Sequence, residues 1–250
     1  MKRGHLVTLT VGGAALAVAG VVGAVVFGGP AAEPAAAPAP AGAAARYTFD
    51  AALAGGGFAD SGGGGHTLRL LSASGGRTAA VAGSAVFPPL CPLGKGCPRA
   101  VLETRADALN PGSGPVSWGA VARLDRRQTS SGQNLLQKGY SRGGSQFKLQ
   151  VDGTGGHPSC VVVDRNDPRI YLARSSVGAA DGRWHRLECH RSTVTLTITV
   201  DGVVRGQKSI PAGLTVNNAE PLRLGGKGVA AKDNDQFHGA LDEAWVSLGG

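Results

Sequence analysis

Several kinds of signal are scarce in this sequence of 250 residues. Beyond residue 45 there is almost no helical periodicity, no segment repeats another, and no run of adjacent arginines exceeds two. The first two absences argue against a helical bundle or a solenoid. The third argues against a basic arm for nucleic acid, although the net charge is +8. A basic balance of that size suits anionic polymers such as acidic or sulfated glycans, and it equally suits a scattered, solvated surface. Chemistry-bearing motifs are scarce too. No H-E-x-x-H pair and no C-x2-4-C zinc pair is present. Glycosidases need two carboxyls flanking the scissile bond, yet Glu103 and Glu188 have no acidic neighbour two positions away. Asp242 and Glu243, adjacent on one strand, should face opposite sides of a sheet. No catalytic residue is assigned, and a non-enzymatic protein is expected.

What is present begins with an export signature. Lys2 and Arg3 precede an uncharged apolar run over residues 6–27, which reads as a signal peptide or, uncleaved, as a membrane anchor. Either reading places the rest of the chain outside the cytoplasm. Any membrane contact is expected through this segment alone, if it is retained. Residues 29–45 form a Pro/Ala tract too poor in large apolar groups to fold, expected to be a semi-extended spacer. Residues 46–250 then make one domain of ordinary size. All four cysteines, Cys91, Cys97, Cys160 and Cys189, lie in this exported part, where disulfides form. Four cysteines allow three connectivities. Cys91 with Cys97 closes a tight CPLGKGC turn, and Cys160 with Cys189 staples two predicted strands; this pairing is expected.

The domain alternates with a period of two. Val194, Leu196, Ile198 and Val200 interleave with threonines before an Asp201-Gly202 turn, and Phe147, Leu149 and Val151 interleave with Gln146, Lys148 and Gln150 before Asp152-Gly153. Both stretches predict strands with one buried face, ended by hairpin turns. Further strands are expected at 46–50, 67–71, 100–105, 118–124, 160–164, 170–174, 184–191, 222–225 and 240–248. Turn-rich spacers separate them in the manner of an all-β sandwich.

Particular residues add a family likeness. Asp181-Gly182-Arg183-Trp184-His185, followed by an alternating strand and Val200-Asp201-Gly202, resembles the DG-x-WH…DG pattern of laminin-G-like domains. So do Pro221-Leu222-Arg223-Leu224-Gly225, the closing Phe237-His238-Gly239-Ala240-Leu241-Asp242-Glu243, and the opening Tyr47-Thr48-Phe49-Asp50 with Asp60-Ser61-Gly62. From residue 46 to 248 the chain resembles the laminin-G-like, concanavalin A-like lectin/glucanase group. That resemblance implies an antiparallel two-sheet jelly roll whose first and last strands pair. It implies a structural role for Trp184 and His185, and a calcium ion held through Asp60 and Asp242, because hard cations prefer oxygen. The fold itself hosts lectins, adhesion modules and glycosidases alike.

The candidate ligand face is the outward row of strand 146–151, with Lys148 and Gln150 joined by Gln137 of the neighbouring LLQKG strand. Hydrogen-bonding side chains in a row suit a glycan. The expected function is therefore an extracellular binding module for a glycan or a surface protein, with no nucleic-acid partner. The alternatives are a glycan-active hydrolase or lyase of the same fold, or a purely structural envelope protein.

Overall fold

The computed structural model describes residues 39–92 and 96–249. The expected signal or anchor segment (1–28), the spacer up to residue 38 and the tip of the Cys91–Cys97 turn lie outside the described residues. Among those described, no helix is long and apolar enough to cross a membrane. In chain order the strands are β1 (Ala45–Tyr47), β2 (Arg69–Ala73), β3 (Ala79–Val81), β4 (Ser84–Val86), β5 (Arg99–Thr104), β6 (Val116–Arg123), β7 (Gly132–Gly139) and β8 (Gln146–Asp152). They continue with β9 (His157–Val163), β10 (Ile170–Arg174), β11 (Trp184–Arg191), β12 (Thr195–Val200), β13 (Val203–Ser209), β14 (Leu222–Leu224) and β15 (Ala240–Leu248). Two single-turn 3-10 helices, Asp107–Leu109 and Arg126–Gln128, are the helical pieces among the described residues.

Every strand pairing is antiparallel. An eight-stranded sheet runs β13-β12-β11-β6-β15-β4-β3 with β1 also on β15, and a seven-stranded sheet runs β10-β9-β8-β7-β14-β5-β2. This is the expected jelly-roll sandwich, and β1 pairs the last strand as expected, with Ala45 opposite Val246. The short strands β3 and β4 were not among the sequence expectations. The sequence over 79–86, AAVAGSAV, alternates no polar with apolar residues and gives no period to read.

The core lies between the sheets. Phe147, Leu149, Cys160 and Val162 of the seven-stranded sheet meet Trp118, Leu187, Cys189 and Ile198 of the eight-stranded one, all buried in one cluster. Trp118 and Phe147 pack with ring centroids 5.2 Å apart, a contact typically contributing about 0.5–1.5 kcal/mol beyond area burial. Beside them the Cys160–Cys189 disulfide ties β9 to β11, and therefore one sheet to the other. The second disulfide joins Cys91 to Cys97.

The partner of β15 changes along its length. Ala240 and Leu241 pair β4, whereas Ala244–Val246 positions pair β1. Between them the register with β6 shifts, and Glu243 sits at φ +47°. The expected simple alternation of Asp242 and Glu243 is thus corrected to a bulge, which bends the strand where it exchanges neighbours. Asp242 Oδ1 accepts the Glu243 backbone N–H at 2.7 Å. The Glu243 carboxylate receives Arg46 Nη2 at 2.7 Å and Nε at 3.0 Å, so the bulge also anchors β1.

Trp245 points out of the eight-stranded sheet, away from the main core, yet it is fully buried. Ala39 and Ala43 lie against it, and the Arg186 guanidinium stands 4.1 Å from its ring centroid. Packing therefore reaches back into the end of the Pro/Ala tract. Gly119 on β6 makes this possible, since a Cβ there would overlap the Trp245 indole and the Leu187 carbonyl.

Candidate functional site

The outer face of the seven-stranded sheet carries a row of consecutive partners across all its strands: Leu172, Val161, Lys148, Gln137, Arg223, Glu103 and Arg69. Their neighbours Leu102, Phe147, Leu149 and Leu222 fill the core, so strand alternation turns the row outward. Over its middle crosses the segment 227–236, held by Asn134 N–H donating to the Asp235 carbonyl at 2.9 Å and by Tyr140 Oη donating to the Lys227 carbonyl at 3.1 Å. Between this segment and the sheet lies a groove of about 660 Å³, lined by Tyr140, Arg142, Gln146, Lys148, Arg223 and Lys227 among others. A second hollow of about 400 Å³, with Arg69, Glu103, Arg105 and Asp107, shares Arg223 with it, so the two meet along the sheet.

Arg223 is the centre of the groove. Its Nε donates to Glu103 Oε2 at 3.1 Å, its Nη1 to the Tyr140 hydroxyl, and its guanidinium stands 5.6 Å from the Tyr140 ring centroid. Lys227 bonds Asp233 and Asp235 at 2.7 and 3.0 Å. Burial opposes its charge, but the two carboxylates outweigh it and hold its pKa above the ordinary value. Lys148 is different. Burial pulls its pKa down, with Asp235 and Asp152 only partly opposing this.

The structure places the three anticipated ligand residues on one face but in different circumstances. Lys148 lines the groove. Gln137 is buried, its amide occupied by Asn134 and by the Gly139 carbonyl. Gln150 donates to Asp152 Oδ1 at 2.8 Å, and Ser159 bonds the same carboxylate. Tyr140, Arg142, Arg223 and Lys227 were not flagged in the sequence. They come from four non-adjacent positions, and only the strand register and the crossing segment bring them together.

Asp60 and Asp242 make separate contacts. Asp60 accepts three backbone N–H groups, from Arg46 and Gly62 on Oδ1 and from His66 on Oδ2, at 2.8–3.0 Å. N–H donors suit a carboxylate that caps a loop; a calcium cage presents oxygens instead, so this surrounding does not fit the ion. Asp242 accepts Glu243 N–H, and burial, with Glu243 and Asp50 nearby, raises its pKa. Among the described residues no group of three or more His, Cys, Asp or Glu side chains converges as a metal site.

The Gly139-Tyr140-Ser141-Arg142-Gly143 stretch has the G-x-S-x-G spacing, but it is the β7–β8 hairpin connection, with no helix after it. Among the described residues no histidine lines the groove beside it, and a serine nucleophile needs a base within hydrogen-bond reach. His185 and His190 also stand at zinc-like H-x4-H spacing, but they go to different partners. His190 Nδ1 meets Ser117 Oγ at 2.9 Å, while His185 bridges Asp201 at 2.7 Å and Asp181 at 3.0 Å.

The bridge of His185 ties the start of β11 to the β12–β13 turn and makes stability depend on pH. Burial disfavours the imidazolium, but the hydrogen bonds and charges of Asp201 and Asp181 outweigh it, so the His185 pKa is raised. Burial likewise opposes the Asp181 carboxylate, and bonds from Arg183 and His185 overcome it, so the Asp181 pKa is lowered. The His185 contribution is complete below the ordinary imidazole value of 6.5 and fades as pH rises through the raised folded value. The Asp181 contribution is present above the ordinary 3.8 and fades in acid. Thermal melts should therefore show Tm falling from pH 6 to 8.5, with His185→Gln flattening that slope. An unchanged slope in the variant would refute the assignment.

The two packed antiparallel sheets define a jelly-roll sandwich. The chain belongs to the concanavalin A-like lectin/glucanase superfamily, whose laminin-G family model matches residues 102–247. No curated protein matches it in sequence. Among solved structures it is similar to domain 4 of AbnA, an extracellular arabinanase of Geobacillus stearothermophilus, solved in complex with arabinotriose. That match has 16% identity and a TM-score of 0.60, and covers 83% of this chain and 92% of that one. It is similar too to the binding domain of botulinum neurotoxin DC, solved with rat synaptotagmin II (8% identity, TM-score 0.58, 83% of this chain and 48% of that one). A third is the binding domain of a paraclostridial mosquitocidal protein (14% identity, TM-score 0.55, 82% and 49%). The chain spans about half the length of the two toxin structures. At these identities the likeness is one of fold.

Proposed function

We propose that this chain is an extracellular, non-catalytic binding module that holds a glycan in the groove on the outer face of its seven-stranded sheet. The groove carries the reading: a pre-shaped hollow whose walls combine apolar surface, an aromatic ring and several N–H donors offers a sugar both a face to stack on and partners for its hydroxyls. Two disulfides in a domain of this size favour an oxidising compartment. The neighbours add that this fold is used for sugar binding, as in the AbnA domain with arabinotriose, and for protein partners, as in the toxin domain with synaptotagmin. Glu103 is engaged by Arg223 and Asp233 by Lys227, so neither is disposed as one of a pair of hydrolytic carboxyls.

A glycan array probed with the purified chain tests this. Tyr140→Ala should weaken captured glycans at least tenfold while the melt stays cooperative. EDTA should leave binding unchanged, because neither Asp60 nor Asp242 lines the groove. A blank array, or capture indifferent to Tyr140→Ala, would count against the groove.

A further inference from the structure

We infer that the groove takes an anionic sugar chain, with carboxylate or sulfate groups met by Lys148 and Arg142; this rests on the glycan reading above and gives it a ligand class. The lining includes Arg142, Lys148, Arg223 and Lys227 against one acidic residue, Asp233. The protein neutralises two of these cations itself: Lys227 through Asp233 and Asp235, and Arg223 through Glu103. Arg142 and Lys148 make no hydrogen bond or ion pair with the described residues. Arg142 is exposed and inexpensive to leave so. Lys148 is not. It is half-buried on β8 between Gln137 of β7 and Val161 of β9, and burial weighs against its charge more than the nearby Asp235 and Asp152 favour it. An ammonium left in that condition destabilises the fold relative to an apolar side chain of similar length. A bound anion would supply the missing partner, in a setting where desolvation strengthens the attraction.

The extent of the groove points to a chain of sugars. Lys148 on β8 and Arg69 on β2 lie four strand spacings apart in one row, roughly 19 Å. Arg223 is shared by the two hollows that fill that interval. At the far end Arg69 and Arg105 line the second hollow together with Glu103 and Asp107; Arg69 pairs with Glu103, and Arg105 makes no ion pair among the described residues. Cations at both ends with the Arg223–Glu103 pair between them match a ligand carrying repeated negative groups. A single small anion would engage one end only.

Isothermal titration calorimetry in 0.1 M salt tests this, using tetragalacturonate, its neutral methyl ester and a sulfated tetrasaccharide against the full chain. At least one acidic tetrasaccharide should bind tenfold or more tighter than the ester, and its affinity should fall as salt rises. Lys148→Met should remove most of that preference and leave the ester unaffected. Arg142→Gln, a change at an exposed hairpin position, should weaken the acidic ligand several-fold, and it keeps the result readable if Lys148→Met fails to fold. Lys208→Met on the exposed β13 edge should change nothing. The two acidic probes distinguish carboxylate from sulfate as the recognised group. If the ester binds as tightly as the acids and Tyr140→Ala abolishes both, the groove stands and the anionic class falls. If no tetrasaccharide binds, or Tyr140→Ala leaves all binding intact, the glycan reading falls as well. A single-stranded oligothymidylate that bound more tightly than every sugar, and was lost in Lys148→Met, would overturn the sugar class alone.

Discussion

Trp245→Ala should cost about 3–5 kcal/mol of stability, the range for emptying a buried tryptophan site, although this side chain lies outside the inter-sheet core. The indole is fully buried, floored by Gly119 and roofed by Ala39, Ala43 and the Arg186 guanidinium. Truncation would forfeit the apolar burial and the cation–π contact, itself about 0.5–2 kcal/mol, and would release residues 39–43. Trp245→Phe should cost far less, because the indole N–H has no hydrogen-bond partner to lose among the described residues. Calorimetric unfolding measures the cost, and elastase cleavage within 39–43 should accelerate in the alanine variant alone. A loss below about 1 kcal/mol would mean that the tract does not seal the indole.

Replacing Cys160 and Cys189 together by alanine should lower the unfolding free energy by about 3–4 kcal/mol, as expected for a covalently closed loop of intermediate length. Removing Cys91 and Cys97 should cost about 2 kcal/mol, since the loop is short. The sequence separations are 29 and 6 residues. For a domain of this size the first change corresponds to a Tm drop of roughly 10 °C. The bond also crosses the core beside Trp118 and joins the two sheets, so its loss should loosen packing as well as lengthen the unfolded chain. Differential scanning calorimetry of the two double variants would show the order. Equal Tm values, or non-reduced peptide maps joining Cys91 to Cys160, would contradict it.

How much of this was legible in the sequence depended on how local the signal is. The strands at 170–174, 184–191 and 240–248 were readable to the residue, because turn-rich spacers bound each of them. β3 and β4 were not, since three-residue strands of small side chains have no period. The bulge at Glu243 was hidden as well: its cause is the change of partner from β4 to β1, which lies some 160 and 200 residues away in the chain. The site followed the same division. Alternation put Lys148 outward, but it could not reveal that Asn134 would occupy Gln137, or Asp152 occupy Gln150. Arg223 and Tyr140 are unremarkable as letters. Only the β7–β14 register and the crossing of 227–236 place them in one groove. The G-x-S-x-G spacing at 139–143 shows the converse, a legible motif whose fold context supplies neither helix nor base.

The pairing of β1 with β15 has a mechanical consequence. The strands run antiparallel, and Ala45 lies opposite Val246, so the chain enters and leaves the sandwich at one corner. Tension applied through the flanking segments would separate this pair rung by rung, the weak direction for a sheet, and would not load its bonds in parallel. The Arg46–Glu243 bridge would be among the first contacts to break. Further extension would meet the Cys160–Cys189 bond, which prevents the segment between those cysteines, 29 positions apart, from paying out. Under pull the domain should yield early at its margin and then hold, with a contour length shortened by that closed loop.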